Sequence, residues 1–363
     1  MGFGCWVSVV ARCFEVSEGA GIGKEAQCGP CLDGVDFRLI FGGCMKFVSE
    51  DVAARVVSMA EAIEAVEAMF KEYGCGLATV FPVAQGHGPD EGTSFSIKSG
   101  LIGASRKVGL KVGSYWPGNR ARGLAAHAST TLLLDPDTGY PEALVAASHL
   151  TCLRTAASDA VAVRHLSRQD SRVLALFGAG HQAWFELQAV REVRSIDMVF
   201  VVNRSPQAGD AFARRIREEL GIDAVCVSAQ AALAAADIVV TVTASRGPLF
   251  DAAWVRPGTH ISAMGADQPG KQELDTALVA GASLFADVVQ QSLAIGEYEA
   301  AHKAGLADSG RITSIGAVLN GTPGRTRVDQ ITIYDSSGMA LQDIAISSLA
   351  LRKADELGLV LTP

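Results

Sequence analysis

The sequence predicts an α/β protein: a Rossmann-type doubly wound domain joined to a second, split α+β unit. Three observations carry that expectation. Short apolar runs alternate with helical segments from Val173 to Asp287, the pattern of parallel strands linked by crossover helices. A glycine-rich turn, Gly178-Ala-Gly180-His-Gln-Ala183, stands between one such run and the next helix. Residues 45–160 instead mix a long helix with short, turn-punctuated strands. The expected limits are 45–160 for the first part of the split unit, 161–325 for the Rossmann-type domain and 326–363 for a return to the first unit. Residues 1–44 are expected to lie outside the fold.

Taken in order, the elements are justified as follows. The pattern turns helical from Ser49, and Ser58-Met-Ala-Glu61 reads as a capping box followed by the apolar stripe Ile63, Val66, Met69 and Phe70. Gly74 and Gly76 end that helix. Thr79–Phe81, Phe95–Lys98, Gly109–Gly113, Thr130–Leu134 and Leu144–Ala147 read as strands. An Ala-rich helix is expected over 151–166. Strands at Val173–Phe177, Met198–Val202, Ala224–Val227, Asp237–Thr243, His260–Met264 and Leu284–Asp287 then alternate with helices over 181–193 and 206–220 and an Ala-rich stretch over 229–236. Gln330–Tyr334 and a helix over 340–357 are expected to rejoin the first unit.

Composition narrows the function classes. The 363 residues are 49% hydrophobic and 19% charged, enough apolar material for two buried cores. The net charge of −8 disfavours nucleic acid as a partner, because polyanions need a basic surface. No apolar run reaches the length of a membrane span. Cys5, Cys13, Cys28, Cys31 and Cys44 crowd the first 44 residues, leaving Cys75, Cys152 and Cys226 in the rest. The main body is therefore cysteine-poor, as expected of a cytoplasmic enzyme. Cys28-Gly-Pro-Cys31 has redox spacing but lacks a surrounding βαβ pattern. The Gly- and Cys-rich 1–44 stretch reads as an upstream extension arising from start-site choice, or as a tail, with Met45 a natural beginning.

Four motifs could carry chemistry. In the Gly178–Ala183 turn the first glycine permits a tight bend, and the second lets backbone approach a pyrophosphate. Ala183 allows close packing of helix on strand, and the helix N-terminus favours phosphate. His181 and Gln182 lie in the same turn. Asn203-Arg204 ends the next strand, where an acidic residue would select NAD. Asn can hold a ribose, and Arg can stack on adenine or meet a 2′-phosphate, so NADH and NADPH both stay open. Asp267, in Met264-Gly-Ala-Asp267, follows a strand at the sheet edge where ligands bind, and can stabilise a developing iminium or serve as a turn cap. The last is a set of cations: Lys98, Lys111, Arg120, Arg122 and Arg154. Lys111 interrupts an apolar strand, either snorkelling at an edge or holding a carboxylate with a tunable pKa. Arg154 suits bidentate carboxylate binding or an interdomain ion pair. Residues 45–363 carry neither a metal-spaced His/Cys cluster nor a GxSxG elbow, so no metal is expected.

Together these segments resemble the ornithine cyclodeaminase/μ-crystallin family. The matching stretches are Gly109-Leu-Lys-Val-Gly113 with Pro117-Gly-Asn119, Leu153-Arg-Thr-Ala-Ala157, Gly178–Ala183, Val202-Asn-Arg204, Met264–Asp267 with Lys271-Gln-Glu-Leu274, and Ser337-Gly338. They run in order from Met45 to near the C-terminus. The resemblance implies a homodimer whose split unit serves substrate binding and dimerisation. It implies Lys111 and Asp267 as catalytic residues, and Arg154 with Asn119 at the substrate. It also places Thr155, Thr243, Met264, Gly265 and Ser337, with the glycine turn and Asn203-Arg204, at the cofactor.

Two departures bear on the substrate. An acid of the cyclodeaminase pattern is replaced at Ser96, in Ser94-Phe-Ser96-Ile-Lys98, and Lys98 adds a cation. An Arg expected after Pro82 is missing from Phe81-Pro-Val-Ala-Gln-Gly-His87. Losing an anion and gaining a cation disfavours a diamino acid and suits a second carboxylate. The expectation is an imine reductase branch, NAD(P)H-dependent hydride transfer to a small imino acid, converting iminosuccinate to L-aspartate. The alternatives are cyclodeaminase, alanine-dehydrogenase or ketimine-reductase activity, or a non-catalytic binding protein.

Overall fold

The structure is a computed structural model that describes residues 45–362; the expectations for 1–44, including Cys28 and Cys31, fall outside them. The first unit opens with β1 (Lys46–Val48), α1 (Glu50–Val56) and α2 (Met59–Gly74). The capping box forms as its sequence requires: Ser58 Oγ accepts the Glu61 amide and Glu61 accepts the Ser58 amide. The stripe Ile63, Val66, Met69 and Phe70 is buried. The strands β2 (Ala78–Val80), β3 (Ala84–Gly86), β4 (Ser94–Ile102), β5 (Lys107–Tyr115), β6 (His127–Leu134) and β7 (Pro141–Ala146) follow. They form a sheet of order β1-β7-β6-β5-β4-β2, with β3 on β4. Only β1 pairs in parallel.

Helix α3 (Ser148–Leu166) leads into the second unit and is buried along most of its length. There β8 (Val173–Phe177), α4 (His181–Val193), β9 (Met198–Val202), α5 (Pro206–Leu220), β10 (Asp223–Cys226), α6 (Ala229–Leu233), β11 (Ile238–Thr241) and β12 (His260–Ala263) build the Rossmann-type series. After them come α7 (Thr276–Gly281), β13 (Ser283–Ala286), α8 (Val289–Ala294), α9 (Glu299–Lys303), β14 (Ile312–Ser314), α10 (Ile315–Leu319), β15 (Thr332–Asp335) and α11 (Ala340–Glu356). The eight strands run in the order β10-β9-β8-β11-β12-β15-β13-β14, all parallel. The chain leaves β8 toward β9 and β10, then crosses back to β11. That reversal opens a crevice at the C-terminal ends of β8 and β11, where such sheets bind ligands.

One expectation is corrected. Thr332–Asp335 does not rejoin the first unit: it pairs in parallel with β12 and β13 inside the second sheet. All four of its residues are buried, as a strand covered on both faces of a parallel sheet must be. Only α11 returns. It packs on β4, β5 and β6 and against α1, α2 and α3. The short elements β1, β14 and α7–α10 carried too little periodicity to be read from sequence. Among the described residues no helix is long and apolar enough to cross a membrane, and no group of His, Cys, Asp and Glu is arranged to hold a metal ion.

Candidate active site

The glycine turn sits at the crevice. Gly178 has φ +115°, and a Cβ there would lie 3.0 Å from the Val242 carbonyl oxygen, so only glycine fits without strain. Gly180 is the N-cap of α4, with no side chain capping the first-turn amides, and a Cβ at Gly180 would meet nothing within 4 Å. Open space over uncapped helix amides is what a pyrophosphate requires. Ala183 is buried against the sheet. Gln182 turns inward: its Nε2 donates to the Cys152 carbonyl at 3.0 Å and to Glu186 Oε1 at 2.8 Å. His181 is exposed, its ring edge-on to Phe185.

The other residues expected at the cofactor line the strand ends beside this turn. Asn203 follows β9, and its Nδ2 donates to the Ser205 carbonyl at 3.0 Å; Arg204 is exposed. Thr155 Oγ1 is occupied within α3, donating to the Thr151 carbonyl. Thr243, Met264 and Gly265 follow β11 and β12, where one carboxylate organises two of them. Glu273 accepts from the Thr243 amide at 2.6 Å, the Thr243 hydroxyl at 2.7 Å, the Thr241 hydroxyl at 2.7 Å and the Gly265 amide at 3.0 Å. Burial raises the Glu273 pKa against the pull of those donors.

Across from the turn, the first sheet presents its cations. Lys98 on β4 and Lys111 on β5 are direct cross-strand partners, and Thr131 on β6 continues the row. The Thr131 hydroxyl is buried without a partner among the described residues. Lys111 Nζ donates to Asp343 Oδ1 at 2.9 Å, and Arg154 Nε reaches the same oxygen at 3.0 Å. Arg154 Nη1 also donates to Gln342 Oε1 at 2.8 Å. Lys98 Nζ donates to the carbonyls of Ser337 at 3.3 Å and Gly338 at 2.9 Å. Burial lowers the Lys111 pKa to about 8, with Asp343 opposing the shift and Arg154 adding to it. Burial likewise lowers that of Lys98. Asp343 is held below the usual carboxylate range by Arg154 and Lys111, against its own burial.

The segment joining β15 to α11 closes the cluster. Gly338 has φ +77°, and a Cβ there would stand 2.7 Å from Arg154 Nη1. Its amide and the Ser336 hydroxyl both donate to Asp287 at 2.9 Å, while Gln291 Nε2 donates to the Ser337 hydroxyl at 2.8 Å.

Lys98, Lys111, Arg154 and the Ser337 backbone thus meet in one place. Asp267 stands on another rim, exposed and paired with Lys271 at 2.5 Å; its charge still acts on Lys98 and His127. Asn119 is spent within its own loop, its Nδ2 donating to the Ala125 carbonyl at 3.1 Å. Sequence reasoning missed Asp343, Gln342 and Asp287, and assigned Glu273 no role. Asp343 left one signal, an acid among Ala340, Leu341, Ile344 and Ala345 on an apolar helix, which needs a buried cation.

The fold and its facing site define a class: a protein with a Rossmann-type domain whose glycine turn faces a cation-rich site. Residues 45–356 match the model of the ornithine cyclodeaminase/mu-crystallin family, and the chain belongs to that family. It is 38% identical to the iminosuccinate reductase of Paracoccus denitrificans over 86% of this chain and 98% of that one. The crystal structure of that reductase with NAD+ superposes with a TM-score of 0.85 over 88% of this chain and 99% of that one. The Δ1-pyrroline-2-carboxylate reductase of Thermococcus litoralis, in complex with NADH and L-proline, gives 0.82 at 32% identity over 87% and 99%. An archaeal alanine dehydrogenase dimer with bound NAD gives 0.83 at 33% identity over 88% and 98%.

Proposed function

We propose that the chain is an NADH-dependent imine reductase whose substrate is a small dicarboxylic imino acid, iminosuccinate, reduced to L-aspartate. One observation carries the reading: Lys98, Lys111 and Arg154 gather at one site, where among the described residues Asp343 is the one carboxylate hydrogen-bonded to any of them, Asp267 and Asp287 acting on Lys98 without a hydrogen bond. Three cations gathered there, one of them bonded only to carbonyls, suit a dianion and disfavour a second ammonium. The relatives that reduce imino acids support the reaction class, and the uncapped α4 terminus supports the dinucleotide.

When bound, NADH supplies the hydride that reduces the imine carbon. The chain's residues do the rest. Arg154, with Nε and Nη1 engaged, offers its remaining Nη2 edge to the α-carboxylate, with Lys111 beside it. Lys98 holds the distal carboxylate. Lys111, titrating near 8, gives up a proton to the reduced nitrogen directly or through water. Asp267 stabilises the cationic nitrogen. In this reading residues 45–160 and α11 form the substrate and dimerisation unit. The described cysteines Cys75, Cys152 and Cys226 are free, which suits a reducing cytoplasm.

The test is loss of reduced-nicotinamide absorbance from NADH and NADPH with oxaloacetate plus ammonia, pyruvate plus ammonia, or Δ1-pyrroline-2-carboxylate. Preference for the dicarboxylate by at least about tenfold in kcat/KM is expected, since charge-assisted contacts contribute about 1.5–3 kcal/mol. Preference for pyruvate or the cyclic imine removes the dicarboxylate assignment. Release of ammonia and proline from ornithine without net NADH change replaces the reductase reading with a cyclodeaminase.

A further inference from the structure

Asp343 reaches the site from α11, on the far side of the Rossmann-type domain in sequence. Its Oδ1 bridges Lys111 Nζ and Arg154 Nε, and its Oδ2 is buried without a partner among the described residues. The two cations therefore orient the carboxylate, and the carboxylate in turn sets their spacing. The neighbouring Gln342 takes Arg154 Nη1 and passes the contact on, its Nε2 donating to Ser158 Oγ at 3.1 Å. Ser158 lies 2.7 Å from the Tyr334 hydroxyl on β15. One turn of α11 thus grips two edges of the guanidinium and one proton of the ammonium. An anion in a first helical turn is also favoured by the helix dipole.

We infer that Asp343 is a positioning residue, aligning Lys111 and Arg154 on one carboxylate oxygen and holding the lysine in its ammonium form. The inference rests on the proposed reading of Lys111 and Arg154 as the substrate-facing cations. The groups acting on Lys111 are Asp343 from α11, Arg154 and the Cys152 thiol from α3, Lys98 from β4 and His127 from β6. Of these Asp343 is the anion in contact. Without it, a buried ammonium would stand beside two other cations and shed its proton at lower pH.

The experiment compares kcat/KM against pH in the reductive direction, using full-length wild type, Asp343→Asn, Asp343→Glu and Lys111→Ala with an imino acid the wild type reduces. NADH affinity is measured alongside. For Asp343→Asn the alkaline limb is expected to move toward acid by about one pH unit or more, so that it loses roughly fivefold more activity at pH 8 than at pH 6. NADH affinity stays at the wild-type value, and Asp343→Glu restores the limb with reduced kcat. A profile parallel to wild type overturns the inference. So does loss of folding or NADH binding in Asp343→Asn, which would make the role purely structural. If Lys111→Ala keeps full activity, the proposed role of Lys111, on which the inference rests, fails. If that variant is inactive while Asp343→Asn keeps the wild-type limb, only the positioning role fails.

Discussion

In the proposed function one residue, Lys98, sets the substrate class. It spends its ammonium on the carbonyls of Ser337 and Gly338, neutral groups, while the carboxylates of Asp343, Asp267 and Asp287 act on it without a hydrogen bond. A substrate carboxylate could share that ammonium, which has three donors. Lys98→Met keeps the stem and removes the charge. It should lower kcat/KM for the dicarboxylate by roughly thirtyfold, from about 2 kcal/mol of lost charge-assisted bonding, and leave a monocarboxylate nearly unaffected. Equal losses on both substrates would show that Lys98 holds the 337–338 segment rather than the ligand. Gly338 makes the same point by absence, since any side chain there would strike the Arg154 guanidinium.

Helices α3 and α4 carry a second ionisable pair, buried between them. Asp159 and Glu186 are both fully buried and face one another, with the Ser262 hydroxyl beside Asp159. Burial raises both pKa values, and for Glu186 the adjacent Asp159 charge adds to the rise. The sign follows: above the ordinary carboxylate range the folded state still holds a proton that the unfolded chain has released. Stability is therefore greatest below that range and declines as pH rises through the raised values. Asp159→Asn removes part of that decline. Urea midpoints should show the variant more stable than wild type at pH 8, by about 1–3 kcal/mol, with a smaller difference at pH 5. An identical difference at both values would mean the pair does not titrate in this window. Glu186 also holds Gln182 of the glycine turn, so this element pair steadies that turn.

Across the whole molecule, the first sheet has two unlike faces. One carries Lys98 and Lys111 and lies under α11. The other presents Phe95, Ile97, Leu101, Leu110, Val112 and Leu132, none of them buried. A contiguous apolar sheet face calls for a cover, and the archaeal alanine dehydrogenase was solved as a dimer. We propose that a second copy of the chain covers it. Sedimentation should give a dimer for wild type, and Leu101→Lys with Val112→Glu should shift it to monomer. A doubly substituted protein that remains dimeric would place the interface elsewhere.

The amino-acid sequence alone determined the elements whose signals are local. These are the capping box at Ser58, the strand–glycine–helix turn at Gly178, the α/β alternation and the odd lysines in apolar strands. Each is set by neighbours within a few residues, through backbone geometry or periodicity. Tertiary structure decided what depends on partners far along the chain. Gln330–Tyr334 reads in sequence as a strand rejoining the first unit, and only the parallel pairing of Thr332–Asp335 with β12 and β13 assigns it to the second sheet. Asp343 lies 232 residues from Lys111 and 189 from Arg154. Nothing local marks it as their partner, because an ion pair of this kind exists only once α11 has folded back across the first sheet.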